Sequence, residues 1–248
     1  MSFRSLLQAI QGNQLLIGGH RGHLSQIREN TIANFEEVWK SGTPYIEIDV
    51  QLSADGVAVI YHDYDLSERT TLQGTIRDYT VDELKASFDL CTLEEAIIWC
   101  KAHRMGMMLE IKSINYSDNI ERPLLAQQII QAITSLHYQE ECIPFSFDYH
   151  ILRIIKQAIP ETSIGLIVPT PPQDPVGLMK DMDAIVYLSY LKDIYPELVC
   201  TLHDAGFFVD GSVVNTEEEL QKAINYHVDM IESDYPEKMS ELLKGRGI

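Results

Sequence analysis

The sequence predicts a single α/β domain, a (β/α)8 TIM barrel with a small insertion after its second strand. Three observations point there. Short apolar runs alternate with amphipathic segments along the whole chain, and eight such strand–helix repeats fill 248 residues. That length is ordinary for an α/β barrel built on one core. Finally, no Gly/Ser-rich linker, low-complexity tract or second core-sized segment divides residues 1–248. A doubly wound sheet is the weaker alternative.

The first strand is expected over residues 15–19, where Leu15, Leu16 and Ile17 run into two glycines. That run is too short for a signal-peptide core or a membrane span. An amphipathic helix over 31–41 leads to a strand over 45–52. The remaining strands are predicted at 107–111, 142–146, 163–168, 184–188, 207–209 and 230–232. Helices are predicted between and after them at 93–103, 123–135, 149–158, 176–181, 194–205, 216–226 and 236–243. Thr92 with Glu95 and Thr216 with Glu219 each form a capping box at a helix start. One connection is out of proportion. Residues 53–91 carry their own short pieces at 57–62 and 82–87, and a structureless loop that long is uncommon, so they read as an insertion.

Composition narrows the function. With 45% hydrophobic and 23% charged residues, the chain is an ordinary globular one. Acidic residues outnumber basic ones 37 to 19, and a net charge of −18 disfavours nucleic acid and anionic membranes as partners. A small anionic substrate stays admissible where a few cations line one pocket. The four cysteines show neither C-x-x-C spacing nor disulfide density, so a reduced, cytoplasmic setting is expected. The oligomeric state is not legible, and a homo-oligomer is compatible with the sequence.

Strand alternation locates the chemistry. In Tyr45-Ile46-Glu47-Ile48-Asp49-Val50 the isoleucines and the valine share one face, and Glu47 and Asp49 share the other. A barrel strand packs its apolar face outward on helices, so both carboxylates point inward. Leu109-Glu110-Ile111-Lys112 repeats the pattern and turns Glu110 and Lys112 inward. A buried carboxylate needs a counter-charge or a metal. Three converging carboxylates supply oxygen ligands suited to Mg²⁺ or Ca²⁺; a plain buried Glu–Lys pair is the competing explanation. At the end of the first strand stand Gly18-Gly19-His20-Arg21-Gly22, with glycines that would let a ligand approach the backbone. His62 follows the apolar run 57–60. Imidazoles transfer protons near neutral pH, and Arg21 and Lys112 can hold phosphate oxygens. Together these residues point to metal-assisted phosphate-ester chemistry with two histidines as acid and base.

The ordered series resembles the glycerophosphodiester phosphodiesterases. It runs from Ile17-Gly18-Gly19-His20-Arg21-Gly22 through Glu29-Asn30-Thr31 and the strand at Glu47 and Asp49 to Tyr61-His62-Asp63, Arg69-Thr70-Thr71, Thr92-Leu93-Glu94-Glu95 and Leu109-Glu110-Ile111-Lys112. It thins later to Ser146-Phe147, Val214-Asn215 and Ile231-Glu232-Ser233-Asp234-Tyr235-Pro236. The resemblance implies a TIM barrel that hydrolyses glycerophosphodiesters to sn-glycerol 3-phosphate and an alcohol. It implies Glu47, Asp49 and Glu110 as ligands of a divalent metal, His20 and His62 as the acid/base pair, and Arg21 and Lys112 as phosphate or substrate contacts.

The chain departs from the family pattern at His23, Arg28, Cys91 and Ser212, the last standing where many members carry tryptophan. His23 and Arg28 could extend a basic patch toward phosphate, or be plain exposed loop residues. Tyr116 and Arg122 either shape the alcohol pocket or are plain solvent-exposed residues, Phe147 packs on glycerol or in the core, and Glu29 and Asn30 are candidates for supporting the site. Two other functions compete: a lysophospholipase D or sphingomyelinase D-like enzyme acting on lipids, and a non-catalytic phosphate-binding barrel. The second predicts damage to the His or carboxylate set, which is intact.

Overall fold

The computed structural model describes Phe3, Leu7, residues 15–24 and residues 26–245. The rest of the opening segment, residues 1–14, lies outside the described residues. Eight strands run parallel: β1 (Leu16–Gly19), β2 (Tyr45–Leu52), β4 (Gly106–Ile111), β5 (Cys142–Ser146), β6 (Gly165–Ile167), β7 (Val186–Tyr190), β8 (Phe208–Ser212) and β9 (Met230–Ser233). The sheet closes because β1 pairs on one side with β9 (Leu16 opposite Met230) and on the other with β2 (Gly19 opposite Ile46). A ninth strand, β3 (Ala58–Ile60), lies antiparallel along the upper half of β2, with Val50 opposite Ile60.

Helices α1 (Ile32–Lys40), α3 (Leu93–His103), α4 (Glu121–Ser135), α5 (Tyr149–Ala158), α6 (Pro175–Met182), α7 (Pro196–Asp204), α8 (Glu217–Tyr226) and α9 (Pro236–Lys244) follow the eight barrel strands in turn. The chain is a TIM barrel. Residues 53–91 hold β3, two short 3₁₀ turns and α2 (Val81–Ser87), joined by a small core of Val59, Tyr61, Leu66, Ile76, Leu84 and Leu90.

The period-two pattern of the strands divides the core into two layers. Ile46, Ile48 and Val50 of β2 and Leu109 and Ile111 of β4 face outward into the shell packed on the helices. Tyr45, Met108, Ile143, Phe145, Ile167, Val186, Leu188 and Met230 fill the barrel interior with Phe3 and Leu7, and the Phe3 ring stacks on Tyr45 at 5.0 Å. Gly18 is obligatory there, since a Cβ would come within 2.2 Å of the Tyr45 ring.

The capping boxes at Thr92/Glu95 and Thr216/Glu219 are formed, and Thr80/Glu83 makes a further one at α2. Boundaries move where pairing overrides apolar content. β8 runs beyond the predicted 207–209 through Asp210-Gly211-Ser212 because β7 offers partners as far as Tyr190, opposite Ser212. α4 starts at Glu121, two residues before Pro123, because proline is tolerated within a first helical turn.

Candidate active site

The functional candidates converge on the end of the barrel where the parallel strands finish. Glu47 and Asp49 project inward from β2 and Glu110 from the neighbouring β4, where Asp49 lies opposite Glu110 in register. One carboxylate oxygen from each lies within 4.8 Å of the others. Glu47 and Asp49 are buried, while Glu110 keeps some access to a cleft of about 210 Å³. Lys112, at the end of β4, reaches Glu110 Oε1 at 2.6 Å and Asp49 Oδ1 at 3.1 Å. Lining the cleft are His20, Arg21, Glu47, His62, Glu110 and Lys112, with Phe147, Tyr190 and Glu232 on other strands and strand ends.

Electrostatics set the three acids apart. Burial pushes Asp49 up, but Lys112, His62 and Arg21 outweigh it and hold the carboxyl well below the usual range. Glu47 is raised well above its ordinary value, by burial first and then by Asp49 and Glu110. Glu110 is also raised, chiefly by burial, against the pull of Lys112. Lys112 would lose its proton more readily through burial, but Asp49 and Glu110 more than compensate and raise it. Glu47 Oε2 accepts from the Arg21 backbone N–H at 2.9 Å, while its Oε1 is buried and receives no hydrogen bond from the described residues. A Glu–Lys pair therefore does not account for the cluster. An orphaned buried oxygen, a carboxyl raised by burial and by its acidic neighbours and an all-oxygen donor set fit a hard divalent cation.

Two histidines flank the acids, each braced by a carboxylate. His20 follows β1 and its Nδ1 lies 2.6 Å from Asp234 Oδ1, whose Oδ2 accepts from Asn215 Nδ2 at 2.7 Å. His62 Nδ1 lies 2.6 Å from Asp63 Oδ1, and its Nε2 lies 2.7 Å from Arg21 Nη2. A guanidinium can only donate, so His62 Nε2 accepts and its Nδ1–H donates to Asp63. Burial first, then Lys112 and Arg21, lower the His62 pKa against the pull of Asp49 and Asp63.

These contacts belong to a ring of alternating groups. Arg21 Nη1 donates to Glu29 Oε1 at 3.3 Å, and Arg69 joins Glu29 Oε2 at 3.0 Å to Asp63 Oδ2 at 2.9 Å. His62 then returns the ring to Arg21. Asn30 supports Asp49 from behind, donating to Oδ2 at 2.9 Å while its own Oδ1 accepts the Asp49 N–H at 3.3 Å. Both Arg21 (φ 54°) and Asn30 (φ 58°) sit in the left-handed region, and the Asn30 N–H donates to the Arg21 carbonyl at 2.8 Å, so the loop folds back onto the site.

Several expectations need correcting. The glycines around His20 make room for protein: at Gly22, with φ 101°, a Cβ would sit 2.0 Å from Asn34 Oδ1. Arg28 does not reach the cleft; it stacks 4.5 Å from the Phe88 ring centroid and donates to the Arg69 carbonyl. His23 lies under Tyr235, edge-on at 6.4 Å. Tyr116 is buried beneath Arg77, and its hydroxyl accepts the Leu52 N–H at 2.8 Å. Arg122 is tied to Asp148 and Asp118. None of these four lines the cleft. Phe147 and Ser212 do.

Sequence reasoning assigned no role to Asp63, Arg69, Asn215, Asp234, Asp210 or Glu232. Asp63, Arg69, Asn215, Glu232 and Asp234 all stand in the series that resembles the family, and that was the available signal; Asp210 had none.

Comparison with known proteins agrees with this architecture. Residues 20–238 match the model of the "Glycerophosphoryl diester phosphodiesterase family". A glycerophosphodiester phosphodiesterase of Caldanaerobacter subterraneus is 29% identical, with 94% of this chain and 99% of that protein covered. Among solved structures, a protein from Silicibacter pomeroyi superposes with a TM-score of 0.91 at 20% identity, covering 100% of this chain and 99% of that one. An Oleispira antarctica phosphodiesterase in complex with the product sn-glycerol-3-phosphate gives 0.86 at 27% identity, covering 92% and 96%. With its carboxylate cluster and braced histidines falling within the matched span, the chain belongs to the glycerophosphoryl diester phosphodiesterase family.

Proposed function

We propose that this enzyme hydrolyses glycerophosphodiesters to sn-glycerol 3-phosphate and an alcohol, with His20 and His62 exchanging protons with the substrate. The observation that carries the reading is the single cleft lined by two carboxylate-braced imidazoles, two cations and the carboxylates Glu47 and Glu110, with Asp49 clustered behind them. Glu47, Asp49 and Glu110 would hold a divalent cation, Mg²⁺ or Ca²⁺. When bound, that ion neutralises phosphate charge and orients a nucleophilic hydroxyl.

The chain's own groups then divide the remaining work. The Arg21 guanidinium and the Lys112 ammonium balance charge on the non-bridging phosphate oxygens. His62 Nε2 carries no proton while Arg21 donates to it, so a substrate phosphate that draws Arg21 away frees that nitrogen as a proton acceptor. With Nδ1 held by Asp234, His20 turns its Nε2 toward the cleft. One imidazole takes the proton of the attacking group and the other returns one to the departing alkoxide; where the glycerol 2-hydroxyl attacks, a cyclic phosphate forms first and water then opens it to sn-glycerol 3-phosphate. Asp63 and Asp234 fix both rings and stabilise the charged forms.

The test follows sn-glycerol 3-phosphate release from a panel of glycerophosphodiesters, metal-free, with Mg²⁺ and with Ca²⁺. Metal-dependent release is expected, with His20→Ala and His62→Ala each slowing it by about 100-fold or more. No release from any diester by the folded protein would overturn the assignment. A lipid reading has one observation in its favour: Phe147 and Tyr190, 38% and 48% exposed, present aromatic surface at the cleft. Including a lysophospholipid in the panel decides between the two.

A further inference from the structure

We propose that Glu232, backed by Asp210 and Ser212, is a specificity residue that hydrogen-bonds the terminal hydroxyl of the substrate's glycerol half. The inference rests on the glycerophosphodiester reading and deepens it. Glu232 projects from β9 into the same cleft as His20 and Glu47, yet is only 2% exposed. Facing it across the cleft, from β5, β6 and β7, are the apolar side chains of Phe145, Ile167 and Leu188. An acid in such a place costs several kcal/mol unless something offsets it.

The chain offsets it only in part. Ser212 donates from Oγ to Asp210 Oδ1 at 2.5 Å and accepts the Glu232 backbone N–H at 2.7 Å. Glu232 and Asp210 lie within hydrogen-bonding reach of each other. Two carboxyl groups bond each other only when they share a proton. Burial and mutual repulsion raise Glu232 well above the usual range, in keeping with that proton. Among the described residues no backbone N–H, amide, hydroxyl or cation donates to Glu232 Oε1 or Asp210 Oδ2, so beyond the shared proton these two atoms have no donor. The nearby cations are already engaged, Arg21 with Glu29 and Asp49 and Lys112 with Asp49 and Glu110. Nor does Glu232 join the carboxylates close enough to share a metal.

A carboxyl pair holding one proton can both give and accept a hydrogen bond, and an alcohol O–H needs the same two things. The position selects the glycerol half. In register Glu232 lies opposite Gly18, two residues before His20, so it sits below the histidine at the strand end. A group reaching it passes beneath the phosphate machinery, while the variable alcohol lies toward the exposed Phe147 and Tyr190.

The test compares sn-glycero-3-phosphoethanolamine with its analogue lacking the terminal hydroxyl, a propane-1,2-diol phosphodiester. Ethanolamine release gives kcat and KM for both. The wild type should favour the glycerol diester in kcat/KM by about 10- to 100-fold. Glu232→Leu should bring that ratio to within about threefold of one, with the loss on the glycerol diester read mainly in KM; Glu232→Gln, which still donates and accepts, should keep a preference between the two. An unchanged ratio in Glu232→Leu, with both substrates slowed alike, would make Glu232 structural and overturn the proposal. Should Glu232→Leu fail to fold, a wild-type ratio near one, or a Glu232→Gln ratio equal to the wild type's, overturns it instead. Wild-type turnover of neither diester would overturn the parent reading, an outcome distinct from turnover of both at equal rates.

Discussion

At the scale of single residues, the site is an arrangement of carboxylates whose neighbours give them different tasks. Asp49 is held ionised by Lys112, His62 and Arg21, whereas Glu47 keeps one buried oxygen unpartnered. Replacing Glu47 by Gln removes the charge and keeps the shape. We expect Mg²⁺ or Ca²⁺ affinity to fall by about tenfold or more in isothermal titration calorimetry, because a hard cation loses an anionic ligand. Asp234 acts through His20, and its carboxyl is held below its ordinary range: burial opposes this, but His20 and Asn215 outweigh it. Asp234→Asn should lower kcat by about 10- to 100-fold with little change in KM, since the imidazolium loses its counter-charge while substrate contacts persist. Equal losses in both parameters would instead indicate that Asp234 shapes the binding cleft.

Elements hold these residues through the two-layer packing of the strands. Ile48 lies between Glu47 and Asp49 in sequence and faces the opposite way, into the helix shell, with no exposure. Ile48→Ala should cost about 2–5 kcal/mol in urea unfolding, the usual range for a buried cavity. Helix α7 is tied to the barrel by His203 Nε2, 2.8 Å from Asp229 Oδ2, the oxygen that also accepts the Val209 N–H at 2.7 Å. The Asp229 hydrogen bond, opposed by burial, raises the His203 pKa. A histidine whose folded pKa exceeds its unfolded value, about 6.5, stabilises fully below that pH and loses the contribution as pH rises through the folded value. The stability gap between wild type and His203→Gln should therefore be larger at pH 5.5 than at pH 8.5. A third of that side chain is exposed, so solvent screening keeps the gap small. Equal gaps at the two pH values would show that His203 contributes packing alone.

For the molecule as a whole, folding concentrates acid where the barrel opens. The net charge is −18, and five of the acids (Glu47, Asp49, Glu110, Asp210 and Glu232) lie on the inner wall of the barrel near the cleft. A cation that binds this arrangement and not the unfolded chain stabilises the fold by mass action. At about 100 times its dissociation constant the gain is ~2.7 kcal/mol, which for a chain of this size raises Tm by about 5–10 °C. Thermal melts with and without Mg²⁺ or Ca²⁺ check this, and the Glu47→Gln variant should show a smaller rise. Among the described residues no helix is long and apolar enough to cross a membrane.

The sequence by itself determined the fold class, most element positions and the first ring of candidate residues. Period-two alternation in 45–50 and 109–112 shows which side chains face inward, because a strand's two faces are decided locally and the face packed on the helices must be apolar. Capping boxes are local for the same reason, and both expected ones formed. What only the tertiary structure decided was pairing across the barrel. His20 meets Asp234 across 214 positions of sequence, and Arg21 meets His62 across 41. Likewise Tyr116 and Arg122 turned away from the cleft because they found partners in Leu52 and Asp148. Asp210 fell outside the predicted strand 207–209 and Glu232 stood without a role in the family-like series; only β8 and β9 lying side by side brought them together, with two buried oxygens that no described N–H or hydroxyl group reaches. A strand's direction is written in its own residues; the hydrogen bonds its inward groups make depend on which other strands the closed sheet brings opposite them.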